Sequence, residues 1–292
     1  KNKGSLDMKF LSFIRMGKPT FGAVNCQGIV PLGGRFDPTV NTLRDAIEQS
    51  RLIDAAEYAQ AHDAELSWAD ITLLPVIPDP SKILCIGLNY QKHKIETGRP
   101  DTEHPTVFTR FADSQVAHGQ PMVKPASSDR FDYEGEMAIV IGRGGRNIPM
   151  ESALDHIAGY ACYNDGSIRN WQRHTSQFTP GKNFLATGGF GPYMVTPEEV
   201  GDYKNLPIQT RLNGKIVQKA SLADLIFPLE DLISYCSAFT PLSPGDVIVT
   251  GTPGGVGDRR DPPVYMFDGD VIEVNIGCLG TLVNPVIDEL PV

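Results

Sequence analysis

The extended apolar stretches of this chain are short, and glycine or proline closes them. Lys82–Gly87 (KILCIG) ends on glycine, Glu136–Ile141 (EMAIVI) runs into Gly142–Gly145, and Asp246–Gly251 follows a Pro-Gly-Asp turn. Proline removes a ladder donor and glycine weakens a strand interior, so such segments make brief strands between turns. The 29 glycines and 23 prolines spread this pattern over all 292 residues. Many short strands with few helices predict a β-rich α+β fold rather than an alternating βαβ one. The clearest helix is Leu229–Phe239. Its Leu229, Leu232, Ile233, Cys236 and Phe239 fall on one face, and Pro228 stands at its start. Glu151–Ile157 reads as a short helix, and Thr42–Ala61 as a helix and its continuation. Near the start, Lys9–Ile14 alternates like a strand and Gly17–Pro19 reads as a turn.

A proline-rich passage, Leu74–Pro80 (LPVIPDP), disfavours both helix and sheet and reads as a linker. It divides a small α/β domain at 8–75 from a larger domain at 76–292. Residues 1–7 (KNKGSLD) read as an appended leader before a start at Met8. The net charge of −9 argues against a nucleic-acid surface, but a local cluster of cations or a metal can still attract an anion. No apolar run reaches the roughly 18 residues of a membrane span, and no secretory signal is visible. The five cysteines are scattered, without a Cys-x-x-Cys pair, and read as free thiols in strands. The expectation is a soluble cytoplasmic protein with neither a membrane nor a nucleic-acid partner.

In Tyr133–Glu136 (YEGE), Glu134 and Glu136 are two apart. On a strand they share a face, with Gly135 pointing the other way. Two such carboxylates repel unless a cation or proton is shared, and hard oxygen donors select Mg²⁺, Mn²⁺ or Ca²⁺ over zinc. Asp165, in ACYNDG after another apolar stretch, is the natural third ligand. The plainer reading makes the pair solvated strand-edge charges and Asp165 a turn aspartate. In NYQKHKIE, His93 and Glu96 are three apart and meet on a helical turn, which suits a general base. A surface pair is the alternative. Arg169, Gln172 and Lys182 follow Asp165 and suit an anionic substrate or a developing oxyanion, unless they are surface residues. Thr250–Gly257 (TGTPGGVG) can turn backbone N–H groups toward an anion, or be an ordinary turn. No Lys-Ser or Lys-Thr follows, so it is not a P-loop.

Taken in order, GLNYQKHKIE, FDYEGEMAIVIG, GYACYNDGSIRNWQ, GKNF and PGDVIVTGTPGGVG resemble the fumarylacetoacetate hydrolase family over roughly residues 80–285. The part before residue 75 resembles the small N-terminal domain of bacterial members. The resemblance implies a mixed β-roll or sandwich catalytic domain, usually a homodimer, and a divalent metal, usually Mg²⁺, on Glu134, Glu136 and Asp165. It implies a lid-borne His93–Glu96 pair and Lys182 in catalysis. Substrate contacts then fall on Arg169, Gln172, Lys182, Tyr90, Gly251 and Thr252. Members hydrolyse C–C bonds of 2,4-dioxo acids such as acylpyruvates, and others decarboxylate oxaloacetate or handle sugar-derived dioxo acids. One departure concerns Leu185 and Gly189, where many members have an aspartate and then a proline, so the surroundings of Lys182 are expected to differ.

The expected activity is metal-dependent hydrolysis of a 2,4-dioxo acid, with His93 activating water and a pyruvate-type enolate leaving. The alternatives are a decarboxylase or isomerase of such acids, and a non-catalytic metal and oxo-acid binding protein. Phe108, Phe111, Tyr163 and Phe190 are candidates for the wall around an acyl group, or for core packing.

Overall fold

A computed structural model of the chain describes residues 8–98 and 103–290. The seven-residue leader read from the sequence lies outside them. One large sheet carries the fold. In order across it run Gly28–Pro31, Lys18–Asn25, Lys9–Arg15, Gly188–Val195, Ile157–Asp165, Gly135–Ile141, Val247–Val249, Ile83–Gly87 and Thr106–Arg110. A second, five-stranded sheet runs Lys215–Ser221, Pro207–Leu212, Val271–Ile276, Thr281–Asp288 and Met122–Lys124. This is the β-rich α+β architecture expected from the turns.

The central strand Gly135–Ile141 is buried along its whole length, and its period of two divides the core. Ala138 and Val140 pack into a cluster with Leu43, Ala46, Ile47 and Ala55 from the helices Leu43–Glu48 and Leu52–Ala61. Met137, Ile139 and Ile141 pack on the other side, against Ile208, Val274 and Leu282 of the second sheet and Leu232 and Ile233 of the helix Leu229–Phe239. The large sheet is thus a middle layer, with helices on one face and a sheet plus one helix on the other.

Local details differ from the sequence reading. Thr42–Ala61 is two helices, because Ser50 adopts φ 56 between them, and Thr42 caps the first by a reciprocal bond with Asp45. The first turn is at Met16–Gly17, both with positive φ, and Pro19 lies in the following strand opposite Ile14. Cys85, Cys162 and Cys236 are buried, the last in a helix, whereas Cys26 is exposed. The proline-rich passage is not a loose connector: Val76 and Ile77 are buried in the first cluster. Strand Lys9–Arg15 pairs with Gly188–Val195, so the sheet runs across the boundary placed near residue 75.

Candidate active site and metal centre

Antiparallel register builds the carboxylate cluster. Gly135 pairs with Asn164 and Glu136 with Tyr163, and the Asp165 N–H donates to the Glu134 carbonyl at 2.8 Å. Residues 31 apart in sequence therefore meet side by side. One carboxylate oxygen from each of Glu134, Glu136 and Asp165 lies within 4.8 Å of the others, and all three residues are buried. Gly135 is required between the glutamates, because a Cβ there would stand 2.0 Å from Thr210 Oγ1 on the second sheet.

Cations line the cluster unevenly. Lys182 Nζ donates to Glu134 Oε2 at 2.8 Å and to Asp165 Oδ2 at 2.6 Å. Arg110 Nη1 holds Asp165 Oδ1 at 2.6 Å. Arg169 bridges Asp132, through Nε at 2.8 Å, and Glu134, through Nη1 at 2.7 Å. Asp132, Glu134, Glu136 and Asp165 thus face three cations, Arg110, Arg169 and Lys182, and are all buried. The shortfall falls on Glu136, which receives the Gly251 N–H at 2.6 Å and none of these ion pairs. Burial pushes its carboxyl well above the usual range, and the charges of Asp165 and Glu134 push it further. Burial opposes ionisation of Glu134 too, but Lys182 and Arg169 outweigh it and hold that carboxyl far below its usual value. Three hard donors with an uncompensated charge fit a divalent cation.

His93 and Glu96 lie on the helix Gln91–Thr97, with Nδ1 3.6 Å from Glu96 Oε2. Both Glu96 oxygens also accept the Gly255 N–H at 3.0 Å, so the carboxylate ties this helix to the glycine-rich loop. Burial opposes ionisation of Glu96, yet His93 and this N–H keep its carboxyl below the ordinary range. Thr252 is fastened by Gln218, whose amide donates to Thr252 Oγ1 and Pro253 O at 2.8 Å each and accepts the Gly135 N–H at 2.9 Å.

These groups surround a cavity of ≈ 380 Å³ lined by His93, Glu134, Glu136, Arg169, Gln172, Lys182 and Thr252. Ile86, Phe108, Phe178 and Val256 form its apolar wall. Two expected substrate contacts stand elsewhere. Tyr90 is buried outside the lining, and burial followed by the charge of Glu136 keeps its phenol neutral. Gly251 spends its N–H on Glu136, at φ 104, and a Cβ there would come 2.6 Å from that of Asn89. Glu96 and Asp165 stand behind the lining as well. Of the aromatic candidates, Phe108 lines the cavity, Tyr163 and Phe190 pack in the core, and Phe111 is exposed. Leu185, at the departure from the family pattern, is exposed, whereas Lys182 is buried among the carboxylates. Sequence reasoning passed over Arg110, Asp132 and Gln218. Arg110 and Gln218 lie in strands outside the motifs, while Asp132 sits inside FDYEGE, two residues before Glu134; a charged residue in an apolar strand, as in Thr106–Arg110, is a usable signal.

The sequence profile described as Fumarylacetoacetate (FAA) hydrolase C-terminal matches residues 82–287. The chain belongs to the fumarylacetoacetate hydrolase family. A mitochondrial oxaloacetate tautomerase of Xenopus laevis is 40% identical over 257 residues, covering 86% of this chain and 81% of its own. A solved structure described as a putative HpcE protein from Mycobacterium smegmatis superposes with a TM-score of 0.86 at 30% identity, covering 96% of this chain and 100% of its own. A fumarylacetoacetate hydrolase from the psychrophile Exiguobacterium antarcticum does so at 0.81 and 30%, covering 97% and 100%. Family members thus carry both tautomerase and hydrolase names, and membership alone does not choose between those reactions.

Proposed function

We propose that this protein is a Mg²⁺-dependent enzyme that interconverts the enol and keto forms of a 2-oxo dicarboxylic acid of the oxaloacetate type. The observation that carries the reading is the under-compensated cluster of three buried carboxylates beside a cavity that His93 also lines. The name of the Xenopus relative supports the choice of reaction. Glu134, Glu136 and Asp165 would hold the ion, with Mn²⁺ as a substitute. Bound there, a divalent ion supplies Lewis acidity toward a 2-oxo acid.

The chain's own groups account for the remaining work. Arg169 binds a substrate carboxylate; its Nη2 is buried and has no hydrogen-bond partner among the described residues. Gln172 accepts from Arg169 Nη1 at 2.9 Å and steadies that guanidinium. Lys182 places an ammonium where the C2 oxygen gains charge. His93 takes the proton from C3 in the keto-to-enol direction and returns it in the reverse one, while the C2 oxygen gains or loses a proton in balance. Glu96 orients the imidazole. A C–H and an O–H bond exchange while the double bond moves between C2–O and C2–C3, and no bond between heavy atoms breaks, so the reaction needs no water nucleophile.

The test follows the ultraviolet absorbance of enol-oxaloacetate. His93→Gln is expected to lower kcat by about 10²–10⁴-fold. Glu136→Gln is expected to abolish both the Mg²⁺-dependent activity and the rise in Tm that Mg²⁺ brings. Wild-type rates in His93→Gln would reject the reading. A second reading, hydrolysis of an acylpyruvate with His93 activating water, draws support from the apolar wall and from a cavity of ≈ 380 Å³. Release of pyruvate from acylpyruvates at rates above those of oxaloacetate tautomerisation would favour it. We also propose a homodimer, consistent with the exposed Phe111 and Leu185, to be checked by light scattering. Action in the cytoplasm is likewise a proposal. Among the described residues no helix is long and apolar enough to cross a membrane, and fractionation would separate cytoplasm from the mitochondrion of the relative's name.

A further inference from the structure

The cavity has a second charged end. Arg173, Asp258 and Arg259 line it together with the hydroxyl residues Thr175 and Ser176. Arg173 grips both oxygens of Asp258, through Nη1 to Oδ1 at 3.1 Å and through Nη2 to Oδ2. Tyr265 adds its hydroxyl to Oδ1 at 2.9 Å. Asp258 is thereby satisfied, and its side chain is only 5% exposed. Arg259 reaches this carboxylate only at 3.5 Å, through Nε, and its side chain is 37% exposed. Two guanidinium groups share one carboxylate, so this end carries a surplus positive charge, and the surplus belongs to Arg259. In a chain of net charge −9, that is a local reversal of sign facing the cavity.

The position of Arg259 is set by the same carboxylate that sets Arg169. Asp132, fully buried, accepts the N–H groups of Gly257 at 2.8 Å and Asp258 at 3.0 Å, which open the short turn Gly257–Arg259. It also accepts Arg169 Nε at 2.8 Å. One buried group therefore holds the carboxylate-binding arginine of the inner end and the turn that carries the arginine of the outer end. Phe178 and Val256 line the same cavity, which suits methylene groups.

We propose that Arg259 is a specificity-determining residue that binds the distal carboxylate of the substrate, so that the site selects 2-oxo dicarboxylates over 2-oxo monocarboxylates. This deepens the reading given above and rests on its placement of the 2-oxo acid at the inner end. A charge-assisted hydrogen bond of this kind changes affinity by about 10- to 100-fold.

The test is calorimetric titration of the full chain, in Mg²⁺, with 2-oxoglutarate and with 2-oxopentanoate, in which a methyl group replaces the distal carboxylate. Wild type is expected to prefer the diacid by about 10-fold or more. Arg259→Gln is expected to lose about 10- to 100-fold toward the diacid and less than about 2-fold toward the monoacid, with Arg259→Lys in between. Equal losses for both ligands, no loss for either, or a wild type that does not prefer the diacid would overturn the proposal. Kinetics separate it from the reading beneath it. If Arg259→Gln keeps the wild-type KM for oxaloacetate, the outer subsite falls and the tautomerase reading stands. If wild type turns over no oxaloacetate but still shows Arg259-dependent diacid binding, the reverse holds.

Discussion

At the scale of single residues, the site is an exercise in uneven compensation. Lys182 and Arg169 hold Glu134 ionised against burial, while Glu136 has one backbone N–H and two like charges beside it. The same logic works outside the metal cluster at Asp258. Burial opposes its ionisation, but Arg173 and the Tyr265 hydroxyl prevail and lower its carboxyl below the ordinary range. A depressed carboxyl contributes stability that is present above the unfolded-state value of about 3.9 and is lost as pH falls through the folded value. Asp258→Asn is therefore expected to be less stable than wild type at neutral pH, and the gap should close on acidification below about pH 4. Urea unfolding at a series of pH values measures it, and a gap independent of pH would show that the carboxylate's charge is not what stabilises. The motif residues at this scale were readable because they are chemical groups at short spacing. Tyr90 and Gly251 stand outside the cavity lining, and a motif does not show which way a side chain or an N–H turns.

At the scale of elements, the meeting of two strands and a crossing sheet decides the geometry. Glu134 and Asp165 are neighbours only because Gly135–Ile141 and Ile157–Asp165 pair in one register, and a slip by one residue would turn every carboxylate to the other face. The second sheet presses on the same point. Gly135 passes Thr210, and Gln218 binds both the Gly135 N–H and the Thr252 hydroxyl. Gly135→Ala is expected to cost about 1–3 kcal/mol through the 2.0 Å approach to Thr210 Oγ1. Thr210→Ala in the same chain should recover part of that loss, and a double-mutant cycle of unfolding free energies reads the coupling. Additive costs would remove Thr210 as the reason for the glycine. The helix Leu229–Phe239 and the strand ending at Ile141 were visible from periodicity. The pairing of the strands was not, since register depends on partners far along the chain.

At the scale of the whole molecule, residues 8–75 complete the large sheet and cover one of its faces. Ala138, Val140, Tyr163 and Phe190 of the later strands share a cluster with Phe10, Phe21, Leu43 and Ile47. A chain of residues 76–292 alone would bare that apolar face, so it is expected to be insoluble or to lack a cooperative unfolding transition. A soluble fragment that unfolds cooperatively by circular dichroism would instead restore a division into two independent domains at residue 75. What the sequence by itself determined is the class of fold, through glycine and proline spacing, and the chemical inventory of the site: three carboxylates, an imidazole–carboxylate pair, two cations and a glycine-rich loop in a telling order. Only the tertiary structure decided which carboxylate lacks a counter-charge, that Arg110, Asp132 and Gln218 hold the others in place, and that a second arginine faces the outer end of the cavity. The physical reason is one of range. Turn and strand propensities act over a few residues, whereas charge balance inside a cavity depends on groups brought together from strands and loops more than a hundred residues apart.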